Sequence, residues 1–127
     1  MTEPLSPELR AFLHEHVKSV EQAEIILLLF RTSPREWTAV KVGRELRIDA
    51  VSAARRLSDL QLCGLISARA EAETLNYWYE GAHDPLVRAL AAEFAERPTT
   101  VSSAIYAPPP DDVRAFADAF RVRGRPK

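Results

Sequence analysis

Residues 38–66, TAVKVGRELRIDAVSAARRLSDLQLCGLI, decide the fold. Two short helices joined by a tight turn fit this stretch. Thr38 supplies a hydroxyl to cap the first helix, which buries Val42 and Leu46 on one face. Asp49 caps the second, in which Val51, Ala54, Leu57 and Leu60 or Gln61 recur at three to four residues as an inner face. Gly64 stands where a helix C-terminus favours a left-handed residue. The opposite face of the second helix carries Ser52, Arg55 and Arg56, with Ala50 and Ala53 beside them.

The pattern changes after Gly64. Leu65 to Ala68 reads as a short strand, Arg69 to Thr74 as a turn region, and Leu75 to Tyr79 as an alternating, aromatic second strand. Leu57-x-x-Leu60-x-x-x-Gly64-Leu65-Ile66 followed by a hairpin resembles the winged helix-turn-helix of MarR/ArsR-like bacterial transcriptional regulators, over about Val20 to Tyr79. The resemblance implies a mainly α fold with a minor β part: a winged helix-turn-helix core, a short β-hairpin wing and added C-terminal helices. It also implies a recognition helix over about residues 50–63 that enters the major groove of double-stranded DNA. Ser52, Arg55 and Arg56 are then candidates for base-edge or phosphate contact, and Lys41 and Arg44 for backbone phosphate. The hairpin tip departs from the pattern. It holds Glu71 and Glu73 with only Arg69 opposing them, whereas wings that reach a minor groove present cations to its negative potential.

Upstream, Ser6-Pro7-Glu8 opens a helix with a capping hydroxyl, a Pro where its missing N–H costs nothing, and an acid at the positive helix end. Leu9, Phe12, Leu13, Val17 and Val20 mark its buried stripe. Ser19 to Gln22 matches a capping box, so either a second helix begins there or the first continues with a bend. Ile25 to Phe30 is apolar nearly all round, which predicts a central scaffold helix, ended by Ser33-Pro34. Trp37 reads as core, stapling the entry to the next helix. His14 and His16 lie two residues apart, hence on different helix faces, and read as surface residues rather than a metal pair.

Downstream, Asp84-Pro85 opens a further helix by the cap-then-Pro rule, with Leu86, Val87, Leu90 and Phe94 on one face. At Pro98 the helix either stops or kinks and resumes through Val101, Ile105 and Tyr106, with Thr99 or Thr100 as caps for a restart. Pro108-Pro109-Pro110 is a stiff spacer, Asp111-Asp112 caps a last helix bearing Val113, Phe116, Ala117 and Phe120, and a basic tail follows. This divides the chain into a winged-helix domain over 1–83 and a C-terminal helical extension over 84–127. The extension is expected to pair subunits into a homodimer, as in regulators that read palindromes.

Composition narrows the function. With 46% apolar and 28% charged residues, the 127-residue chain matches an ordinary globular domain rather than a disordered one. Its longest apolar run falls short of the roughly 20 residues that cross a bilayer, and no basic-then-apolar leader opens it, so a cytoplasmic location without membrane contact is expected. The net charge of −1 argues against a generic polyanion binder, but residues 31–70 hold eight Lys and Arg against four Asp and Glu. Positive charge therefore collects on the two-helix motif. The single Cys63 rules out an internal disulfide and reads as a small core residue. Glycines are isolated, and no nucleophile elbow, H-E-x-x-H or C-x-x-C occurs, so neither an enzyme nor a bound cofactor or metal is expected. An alternative to DNA binding stays open: a winged helix used as a protein interaction module, favoured by the acidic tip and the near-neutral total.

Overall fold

A computed structural model describes residues 5–106. The capping chemistry of the sequence sets its first two helices. Helix α1 (Pro7–His16) starts where the Ser6 hydroxyl accepts the Leu9 N–H at 3.1 Å, and it buries Leu9, Phe12 and Leu13. Helix α2 (Val20–Arg31) is a separate helix, not a continuation. Ser19 caps it by accepting the Gln22 N–H at 3.2 Å, and the Gln22 side chain reaches back to the Lys18 N–H. Ala23 and every residue from Ile25 to Leu29 are buried on it, which makes α2 the central helix.

Helix α3 (Ala39–Leu46) is capped by Thr38 and helix α4 (Ala50–Leu62) by Asp49, whose carboxylate accepts the N–H groups of Val51 at 3.0 Å and Ser52 at 3.1 Å. Between them Arg47 adopts a left-handed conformation (φ 60°), and the chain doubles back so closely that a Cβ on Gly43 would lie 2.8 Å from the Ile48 carbonyl oxygen. Only glycine leaves room for that turn without moving backbone. Helix α4 ends in two hydrogen bonds of a Schellman motif, Gly64 N–H to Gln61 O (3.0 Å) and Leu65 N–H to Leu60 O (3.1 Å), with Gly64 at φ 82°.

The hairpin is longer than the sequence suggests. Strands β1 (Ile66–Glu71) and β2 (Thr74–Tyr79) pair antiparallel, from Ile66 opposite Tyr79 to Glu71 opposite Thr74. The turn is only Ala72-Glu73, with Ala72 at φ 56°. The expected turn over residues 69–74 is corrected accordingly: a left-handed alanine closes the hairpin where no glycine announces it. Trp37 adds a bridge to Tyr77, each residue donating its N–H to the other's carbonyl at 2.7 Å.

Helix α5 (Asp84–Glu96) follows, and Asp84 is its first residue rather than its cap. The Asp84 carboxylate instead accepts the Tyr79 hydroxyl at 2.6 Å and pairs with Arg88, and these two hydrogen bonds hold its pKa below the ordinary carboxylate value. The helix stops before Pro98, which begins α6 (Pro98–Tyr106), so Thr99 and Thr100 lie inside α6 rather than capping it. Both α5 and α6 pack on α1, and Val87, Leu90 and Val101 join the same buried cluster as Leu9 and Leu27. The Val20 N–H donates to the Tyr106 hydroxyl at 3.1 Å, tying the end of α6 to the start of α2. The expected helix from Asp111 and the basic tail lie outside the described residues. No described helix is long and apolar enough to cross a membrane.

His16 corrects the surface assignment made for it. Its ring packs 5.4 Å from Phe12 and 5.1 Å from His83, centroid to centroid, with Nδ1 buried and lacking a hydrogen bond among the described residues. Burial first, then the neighbouring His83 and Lys18, hold its pKa below 6.5, with Glu15 opposing. A folded pKa below the unfolded one means that the contribution of His16 to stability is complete above pH 6.5 and is lost as pH falls through the folded value. Denaturant titrations of His16→Phe between about pH 7 and 5 are expected to show a shallower loss of stability than wild type. An identical pH profile for the two proteins would contradict the packing.

Candidate nucleic-acid interface

Which face of α4 points outward is set by what α4 packs against. Ala53, Leu57 and Leu60 are fully buried, and they lie along one side of the helix. The outermost residues, half a turn away, are therefore Val51, Arg55, Ser58 and Leu62, spaced four, three and four apart. Two expectations are corrected. Val51, expected inside, is 68% exposed, and Ala53, expected on the outer face, is fully buried. Leu62 is more exposed still, at 79%.

The five candidate residues fall into two groups. Ser52 and Arg56 lie on the flank of α4 facing α2. The Ser52 hydroxyl donates to Glu21 Oε1 at 2.9 Å, and Arg56 Nε donates to the same oxygen at 3.2 Å. Arg56 therefore pairs with Glu21 of α2 rather than with Asp49 or Asp59 of its own helix. Arg55, Lys41 and Arg44 are exposed, and among the described residues no hydrogen bond or ion pair engages them. Arg47, in the left-handed turn between α3 and α4, is likewise exposed with no hydrogen bond or ion pair among the described residues, and it escaped the sequence reading. Glu21 escaped it too: it lies 31 residues from Ser52, and nothing local in the sequence links them.

The wing is electrostatically different. Arg69 pairs with Glu36 at 2.8 Å and Glu71 at 3.7 Å, and its guanidinium lies 5.6 Å from the centre of the Trp78 ring. Glu71 and Glu73 at the tip are exposed and the one cation of the hairpin, Arg69, is paired, so the hairpin offers no free cation. Between the wing and the start of α3 runs an open groove of about 560 Å³, lined by Thr38, Val40, Ala54, Glu73 and Leu75 among others. No group of three or more His, Cys, Asp or Glu among the described residues has the placement to hold a metal ion.

The comparisons agree on the architecture. No family model and no curated protein matches the sequence. Among solved structures, the chain is similar to the adhesin competence repressor AdcR of Streptococcus pyogenes, at 12% identity over 87% of this chain and 80% of that one, with a TM-score of 0.56. It is also similar to MepR, a transcription regulator of the Staphylococcus aureus multidrug efflux pump MepA, at 16% identity, 91% and 87% coverage and a TM-score of 0.55. A mutant of MepR bound to an oligodeoxyribonucleotide matches at 16% identity, 91% and 88% coverage and a TM-score of 0.53. At such identities the likeness carries the fold: this chain is a winged helix-turn-helix domain, with α3 and α4 as the helix pair and the β1–β2 hairpin as the wing.

The two arginines make a direct test of the geometry. A half-exposed ion pair such as Arg56–Glu21 is worth about 0.2–1 kcal/mol. Arg56→Ala is expected to lower the melting temperature by a few degrees, while Arg55→Ala leaves it nearly unchanged. Thermal unfolding followed by circular dichroism distinguishes them, and the reverse order would contradict the placement of Glu21.

Proposed function

We propose that this chain is a DNA-binding transcriptional regulator that docks α4 in the major groove and works in the cytoplasm as a homodimer. The observation that carries the reading is the outward stripe of α4, with an unpaired Arg55, beside a helix and turn that supply unpaired Lys41, Arg44 and Arg47. Cations without partners in the fold are free for phosphate and base edges, and their desolvation breaks no internal pair. The likeness to a regulator bound to an oligodeoxyribonucleotide supports the same reading. Ser52 and Arg56 then act through the orientation of α4, not by reading bases, and the acidic wing tip stays clear of the minor groove.

Retention of genomic fragments by the full chain tests the proposal. Affinity should fall steeply with salt, Arg55→Ala should weaken it by about tenfold or more, and replacing Lys41 and Arg44 with Ala should flatten the logarithmic salt slope by about one for each charge. No retention even at low salt would overturn the reading. A second reading would then stand, a protein interaction module. The exposure of Val40, Val51, Leu62 and Leu75 around the helix pair and wing favours it.

The homodimer is assigned to the C-terminal helical segment. Val87, Leu90 and Val101 are committed to the core of the subunit, so we assign the pairing to the part of the extension beyond Tyr106, whose sequence carries Val113, Phe116 and Phe120. Mass measurement in solution should give a dimer for the full chain and a monomer for a chain ending at Tyr106. A dimer in both would move the interface elsewhere.

A further inference from the structure

Val51 and Leu62 are two of the most exposed large apolar side chains of the described residues, and both lie on the α4 stripe that holds Arg55. A single exposed leucine is ordinary, but two aliphatic residues bracketing the one free cation of a helix face make a pattern. A face meant only for phosphate would carry cations or hydroxyls at those places. In the major groove the apolar feature is the thymine C5-methyl, and the acceptor pair that suits an arginine fork is guanine O6 and N7.

We infer that Val51 and Leu62 read thymine methyl groups on either side of a single guanine read by Arg55; the inference rests on the DNA-binding reading above. Helical rise sets the spacing. Val51 lies about 6 Å along the axis from Arg55, and Leu62 about 10.5 Å on the other side. With base pairs about 3.4 Å apart along the duplex axis, the methyls fall at most about two and three base pairs from the guanine, and closer where α4 inclines along the groove. Ser58, between Arg55 and Leu62, accepts or donates and so tolerates several bases. Ala53 is buried and Arg56 is held by Glu21, so neither competes for this face. With no free cation at the wing tip to anchor the adjacent minor groove, discrimination falls to these few contacts.

The experiment selects duplexes from a random library with the full chain, then replaces thymine by uracil, one position at a time, in the best site. Uracil keeps every hydrogen bond of thymine and lacks only the methyl. The selected half-site should hold one dominant guanine with thymines within the stated offsets, and each critical uracil should weaken binding about fourfold. Val51→Ala should abolish the uracil effect at one position and Leu62→Ala at the other, and since both side chains are exposed neither substitution threatens the fold. If no duplex is selected, the DNA-binding reading itself fails and a protein partner takes its place. If duplex is selected but uracil is tolerated everywhere, or its effect persists in both variants, the methyl readout is overturned while DNA binding stands.

Discussion

Three elements meet at Trp37. Its backbone forms two 2.7 Å hydrogen bonds with Tyr77 of the wing, and its indole N–H donates at 2.8 Å to the Thr32 hydroxyl at the end of α2. Thr32 in turn donates to the Leu28 carbonyl at 2.8 Å, so the polar atom of a buried tryptophan is satisfied through the scaffold helix. The next residue, Thr38, caps α3. Trp37 thus fastens both the wing and the start of the helix pair to α2, and a buried tryptophan is worth about 3–5 kcal/mol, a large share of the stability of a small domain. A two-stranded ribbon alone is marginal in water, and Trp37 is one of the residues that fasten this one to the fold.

A second constraint sets the rotation of α4 about its own axis. Gly43 lets the chain turn tightly between α3 and α4, the Ala53, Leu57 and Leu60 side is pulled inward, and Glu21 grips the Ser52–Arg56 flank. What points outward is the remainder. The positive charge of the helix pair and wing is accordingly divided: Arg56 and Arg69 are consumed by internal pairs, and Lys41, Arg44, Arg47 and Arg55 are left over among the described residues.

Much of this was legible in local chemistry. Ser6, Ser19, Thr38 and Asp49 cap the helices they were expected to start, and Gly64 ends α4, because capping is decided within a few residues of chain. The winged helix followed from the order of two helices and a hairpin. The outer face of α4 was not legible. Val51 and Leu62 are as apolar as Leu57, so periodicity offers two overlapping stripes, and the choice depends on which side α2 covers. The turn at Ala72 was hidden for the opposite reason, a left-handed residue without the glycine that marks one. His16 was read by its own helix alone, while its environment comes from His83, far along the chain. Of the candidate site, the exposed Lys41, Arg44 and Arg55 were visible as a charge cluster; the engagement of Ser52 and Arg56 required a partner outside the motif.

Arg55 and Arg56 are neighbours in sequence with the same side chain, yet one is bonded inward and the other is not. Substitutions at the two positions meet different physical constraints. Position 56 is tied to position 21, so a change of charge at one calls for a matching change at the other. Position 55 has no such tie among the described residues. The pair therefore sets a position bound into the fold beside one that no described residue engages, and the second can be changed without reworking the first.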